Sequence, residues 1–106
     1  MAITRFYNIV GGTLSTVELV EPSVSVPIKS ITLANIHASA DATIDLFIQD
    51  DPASGTTSTF YLIKAIKIPA GTSLILDKSS MFNFPIKFGL YIKCGASDTV
   101  DVLLNN

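Results

Sequence analysis

The chain contains one histidine, His37, and one cysteine, Cys94, which are the two side chains with the most versatile chemistry. A zinc site usually takes several Cys or His ligands, and a blue-copper site takes two His and one Cys. A catalytic thiolate also needs an activating environment and a stabilised oxyanion. The sequence supplies none of these, so we interpret His37 as a polar or interface residue and Cys94 as a small packed hydrophobe.

Nine carboxylates are spread along the chain. Glycoside hydrolysis needs two of them to face one another across a cleft, and their spacing establishes no such pair. The candidate for a metal is calcium in the loop 50–55, where Asp50, Asp51 and Ser54 offer the oxygen ligands that Ca²⁺ prefers, although without the spacing of an EF-hand. We therefore expect no cofactor and no enzymatic activity.

The charge of the chain also bears on its partners. A formal net charge of −2 and seven scattered basic residues give no field that attracts nucleic acid or an anionic membrane. A single cysteine excludes an intrachain disulfide and fits a reducing compartment. The first residues lack a signal-peptide pattern, and no apolar run approaches the ~18 residues of a membrane helix. We expect cytoplasmic synthesis, with neither nucleic acid nor membrane as a partner.

Apolar and polar side chains alternate along most segments of the chain, and this period of two residues is typical of half-buried strands. One such segment is 86–93, and the others are 3–9, 13–20, 24–26 with 28–37, 43–49, 58–68, 73–77 and 99–105. The sequence predicts a single all-β domain over 1–106, namely an antiparallel β-sandwich, jelly-roll-like, with about eight strands and little or no helix. A small closed barrel is the alternative. Residues 1–12 form either an edge strand or an arm, and Pro22 and Pro27 predict that the third strand lies at an edge or crosses between sheets.

The chain has more apolar surface than so small a domain can bury. Hydrophobic residues make up 48% of it and charged residues only 15%, against about a quarter charged in a typical soluble domain. Several apolar side chains fall on the outward side of their predicted strands, and these are Phe47, Tyr61, Ile63 and Leu103. Because large exposed apolar patches usually mark interaction sites, we expect these four residues to form the interface of a homo-oligomer.

A sequence pattern supports assembly from another direction. The runs SITLAN at 30–35, TIDLFI at 43–48, YLI at 61–63, IPAGTSL at 68–74 and LYIKCGASDTVDV at 90–102 resemble small virion proteins of tailed bacteriophages. The resemblance covers about residues 28–104 and leaves out the N-terminal segment. It implies a β-sandwich component of the virion, of the capsid decoration or head–tail and tail accessory type, made in the host cytoplasm and acting as a homo-oligomer beside other virion proteins. It carries over no site residues.

A carbohydrate-binding, lectin-like sandwich is the second hypothesis. Tyr7, Tyr61 and Tyr91 offer rings on which a sugar can stack, and the loop 50–55 offers a calcium site. The absence of tryptophan weighs against it.

Overall fold

The alternating segments form eight strands in a computed structural model, which describes residues 3–10, 16–24, 28–50, 58–78, 82–85, 87–95 and 98–105. No α-helix occurs among these residues. The strands are β1 (Ile3–Val10), β2 (Thr16–Val20), β3 (Ser30–Asn35), β4 (Ala42–Asp50), β5 (Thr59–Ile68), β6 (Ser73–Leu76), β7 (Phe88–Cys94) and β8 (Thr99–Asn105).

The strands divide into two antiparallel sheets of four. Sheet one has the order β1-β8-β3-β6, and sheet two has the order β2-β7-β4-β5. Every hydrogen-bonded pair is antiparallel. This is the strand order of an eight-stranded jelly roll, in which two Greek keys are folded into a double sheet. The predicted antiparallel, jelly-roll-like sandwich is therefore confirmed.

The core lies between the two sheets, because each inner strand turns every second side chain inward. Ile44, Leu46, Leu90 and Ile92 of sheet two are fully buried. Sheet one faces them with residues that are buried to the same extent, namely Ile31, Leu33, Val100, Val102 and Leu104. Burial of each such side chain contributes roughly 1.5–3 kcal/mol, which makes this layer the main source of stability.

The third strand does not lie at an edge, which was one of the two alternatives predicted from its prolines; both prolines lie in the connection that passes from β2 of sheet two to β3 of sheet one. β3 pairs with β8 on one side and with β6 on the other. It begins only at Ser30, after both prolines, so no proline interrupts its hydrogen bonds. The segment around Pro22 forms a turn instead, in which the backbone N–H of Val24 donates to the carbonyl of Glu21 at 3.3 Å.

The edge strands β1 and β2 are tied to each other across the open side of the sandwich. The Arg5 guanidinium donates to the Leu19 carbonyl at 3.1 Å and forms an ion pair with Glu21. The Tyr7 hydroxyl donates to the same Leu19 carbonyl. Within the N-terminal segment 1–12, residues 3–10 thus form an edge strand, β1, that is fastened to the other sheet.

The pairing of β4 with β5 is interrupted twice. The register shifts between Ile44 and Leu46 and again between Leu46 and Phe47, so β5 carries extra residues at both places. At the first shift Ala65 adopts a positive φ of 55°. Its backbone N–H donates to the Asp45 carboxylate at 2.7 Å, which holds the bulge in place.

Candidate functional site

The two side chains that could have carried chemistry both serve the fold. Cys94 is buried in the core, and burial, followed by the charges of Asp98 and Asp45, raises the pKa of its thiol to about 11. His37 follows β3, and its Nδ1 atom accepts backbone N–H groups from Ser39 at 3.1 Å and Ala40 at 3.0 Å. The thiol is therefore held protonated at neutral pH, and the imidazole orders the loop before β4.

Two of the carboxylates accept backbone hydrogen bonds that stabilise the ends of strands. The Asp98 side chain is buried and accepts the backbone N–H groups of Gly95 at 2.6 Å and Thr43 at 3.0 Å, which joins the β7–β8 turn to β4. Asp50 accepts the N–H of Ser58 at 2.7 Å. The rest of the predicted calcium loop, 51–55, lies outside the described residues. Within the described ranges, no three His, Cys, Asp or Glu side chains are grouped so as to hold a metal ion.

One row of side chains crosses the whole outer face of sheet one. Cross-strand pairing places Phe6 beside Leu103, Leu103 beside Thr32, and Thr32 beside Ile75. Phe6 and Ile75 end the row and are 73% and 59% exposed, respectively. We call this set the sheet-one row. It is a stripe of three apolar side chains and one threonine on the outward face of the sheet, and it is most open at its two ends.

A second row crosses the outer face of sheet two, and it is aromatic. Glu18, Tyr91, Phe47 and Tyr61 are successive cross-strand partners. The Phe47 ring lies 5.8 Å from the Tyr91 ring and 5.3 Å from the Tyr61 ring, centroid to centroid. Phe47 and Tyr91 are each only 6% exposed, whereas Tyr61 is 50% exposed and lies under the Lys64 ammonium at 4.6 Å. The two central rings of this row, Phe47 and Tyr91, are therefore buried, and the ring of Tyr61 at its end is open.

The four residues predicted as an interface have four different surroundings. Leu103 faces outward at the centre of the sheet-one row and is half-buried. Tyr61 faces outward on sheet two and is exposed, and Phe47 faces outward there but is covered by its aromatic neighbours. The assignment of Ile63 to the outer face was wrong. The second register shift in β5 pairs Ile63 with Leu46, so it packs against the core.

Sequence reasoning missed the two most exposed members of the sheet-one row. Phe6 alternates along its strand with Arg5 and Tyr7. Because these two side chains have polar ends, the sequence offered no sign that they form the inner face of the strand, yet both turn inward toward β2. Ile75 lies in the run SLIL, where apolar residues on both faces hide the alternation. A cross-strand alignment of β1 with β8 would have revealed Phe6, because its partner Leu103 was already assigned outward.

The tyrosines proposed for sugar stacking are not presented together. Tyr7 turns toward β2 and donates to a backbone carbonyl. The Tyr91 ring is buried against Phe47, and its hydroxyl lies 3.3 Å from the Glu18 carboxylate. Of these three rings, only that of Tyr61 is largely open.

No family model matches the chain, and no curated protein or solved structure matches it. In the part of the chain that the structure describes, no helix is long and apolar enough to cross a membrane.

Proposed function

We propose that this protein is a non-enzymatic structural subunit of a tailed-phage virion, of the decoration or head–tail and tail accessory type, which forms homo-oligomers by burying an apolar sheet face. Its mechanism is association alone. Assembly removes apolar side chains from water, and the regular sandwich supplies a rigid surface on which they are displayed.

The observation that carries this proposal is the sheet-one row. Phe6 and Ile75 expose most of their apolar surface at the two ends of a stripe whose centre is Leu103. Single exposed apolar residues are ordinary on a monomer, but an aligned stripe across a complete sheet is unusual. Burial of apolar area contributes about 25 cal/mol per Å². If association buries a few hundred Å² of this stripe, it gains several kcal/mol of binding free energy, before the entropy cost of association is subtracted.

The fold and the composition support the same proposal. Double-sheet jelly rolls are common in viral capsid and lectin domains. Because one fold hosts many functions, the fold alone does not choose between these two classes, and the resemblance of residues 28–104 to phage virion proteins favours the first class. Only 15% of the residues are charged, which fits a protein whose surface is partly buried against other subunits, because charged residues are depleted at the centres of interfaces.

Light scattering on the purified protein tests the association. We expect a mass above that of one chain, increasing with protein concentration into the micromolar range. A strict monomer at high micromolar concentration would contradict the proposal.

The virion assignment needs a separate experiment. Mass spectrometry of purified particles from a lysate that produces this chain should find the chain in the particles, at a copy number that is a multiple of the number of subunits in the oligomer. Its presence in the lysate but absence from the particles would contradict the assignment.

A glycan array with and without a calcium chelator tests the carbohydrate-binding hypothesis, which predicts binding that the chelator abolishes.

A further inference from the structure

We infer that the outer face of sheet one is a two-fold contact with a second copy of this chain, in which the sheet-one rows of two subunits pack face to face. This inference rests on the proposed function, because it names the surface and the partner through which the homo-oligomer forms. Phe6, Leu103, Thr32 and Ile75 supply the contact.

The distribution of charge distinguishes this face from the opposite one. On the four strands of sheet one, as far as the structure describes them, the outward side chains include a single charged residue, Asp101, which accepts a hydrogen bond from Asn8. The outward side chains of sheet two include five charged residues, which are Glu18, Asp45, Lys64, Lys67 and Lys93. Depletion of charge is the compositional mark of the centre of an interface, so sheet one has the face that is covered.

The same charge pattern favours a second copy as the occupant. A two-fold contact brings a surface against its own image, and any strong charge at its centre then meets a like charge. The centre of this face, Leu103 and Thr32, carries no charge, and the carboxylate of Asp101 lies in the adjacent row with Asn8 as its partner. The face is therefore compatible with itself, whereas a two-fold contact through sheet two would have to cover five charged side chains, including the ion pair between Lys64 and Asp45.

The size of the face sets the strength of the contact. Four strands at about 4.8 Å spacing and about six residues at about 3.3 Å each give a flat area of roughly 400 Å² per subunit. Two subunits would then bury roughly 800 Å², about half of a standard interface of 1,600 Å² and more when side-chain relief is counted. We therefore expect a reversible dimer that dissociates in the micromolar range, which further contacts in a particle would reinforce.

Matched charge substitutions on the two faces test the inference. Phe6→Glu and Ile75→Glu place a carboxylate at the two ends of the sheet-one row, where each side chain is exposed in the monomer. We expect each to weaken self-association by about tenfold or more in sedimentation equilibrium. Tyr61→Glu, which changes an aromatic side chain that is 50% exposed on sheet two, is the control and should leave association unchanged. Circular dichroism confirms that all three variants are folded.

Disulfide trapping tests the two-fold geometry. A two-fold axis in the contact passes near the centre of the face, so Thr32→Cys places two thiols close together across the dimer, while Cys94 stays buried. We expect an intermolecular disulfide on mild oxidation. Thr43→Cys, an exposed threonine on the outer face of sheet two, is the matched control and should remain monomeric.

The outcomes separate the inference from the proposed function. Association that survives Phe6→Glu and Ile75→Glu but is lost in Tyr61→Glu, or a disulfide in Thr43→Cys and none in Thr32→Cys, overturns the inference and leaves the homo-oligomer standing. A wild-type chain that is monomeric at every concentration overturns both.

Discussion

The Asn35 side chain donates to the main-chain carbonyl of Ile68 at 2.8 Å, and this bond links the last residue of β3 in sheet one to the last residue of β5 in sheet two. The same amide nitrogen donates to the Ala40 carbonyl at 2.9 Å, and the amide oxygen accepts the His37 N–H at 3.0 Å. The Asn35 backbone bonds Gly71 and Thr72 in the turn that leads to β6. The buried Asn35 thus joins the two sheets, and it also holds the connection from β3 to β4 and the turn between β5 and β6.

Replacement of Asn35 by alanine should therefore be costly. It leaves the buried Ile68 carbonyl, the partly buried Ala40 carbonyl and the partly buried His37 N–H without the bonds that the side chain provides, and each buried group left unpaired costs about 1–3 kcal/mol. We expect Asn35→Ala to lower the free energy of unfolding by about 3 kcal/mol or more in urea titration. The control is Gln49→Ala, which removes an exposed hydrogen bond to Thr59 and should cost less than about 1 kcal/mol. Equal effects would contradict the role of Asn35.

The sequence predicted the inner faces well where strands keep a strict alternation. In the predicted segment 43–49, a period of two places Ile44, Leu46 and Ile48 on the inward face, and all three are buried. Spacing works there because one face of the sheet must be apolar whatever strand lies beside it. The eight segments and the sandwich follow from the same rule.

The surface was harder to predict, because exposure depends on neighbours that are distant in the sequence. Phe47 faces outward as its alternation indicates, yet Tyr61 and Tyr91 cover it from the adjacent strands. Ile63 was misassigned because a bulge reverses the faces of the side chains between it and the next bulge, at Ala65, and no local signal marks it. Asp98 lies in a turn, where a carboxylate is usually solvated, but the approach of β4 buries it.

The bulge itself allows a test of strain. Ala65 has a positive φ, which costs an alanine about 1–2 kcal/mol and a glycine nothing comparable. Since glycine also loses more entropy on folding, Ala65→Gly should raise the free energy of unfolding by about 0.5 kcal/mol. Ala34→Gly, on β3, should instead lower it by about 1 kcal/mol. Denaturant titration of both variants measures the difference, and a loss of stability in Ala65→Gly would argue against a strained bulge.

The ion pair between Arg5 and Glu21 makes a pH-dependent contribution. The hydrogen bond from Arg5 lowers the pKa of Glu21 below its usual value. Because the pKa is lower in the folded than in the unfolded chain, the stabilisation is present at neutral pH and is lost as the pH falls through the folded pKa. Wild type should melt above Glu21→Gln at neutral pH, and the two melting temperatures should converge in acid. A difference that grows in acid would contradict this sign.

The Cys94 thiol should be unreactive in the folded protein. With a pKa of about 11, about one thiol in a thousand is ionised at pH 8, and the side chain is buried. We expect an aromatic disulfide reagent to label native protein only as fast as it unfolds, and denatured protein at once. Rapid stoichiometric labelling of the native chain would place Cys94 at the surface and reopen a catalytic role.

Backbone amide NMR spectra of the unaltered protein, recorded at low and at high micromolar concentration, show whether a second subunit covers sheet one. We expect shifts on dilution that are confined to Phe6, Leu103, Thr32, Ile75 and their neighbours on sheet one, with the amides of Phe47 and Tyr61 unmoved. Spectra that do not change with concentration, or changes centred on Tyr61, would contradict the contact through sheet one.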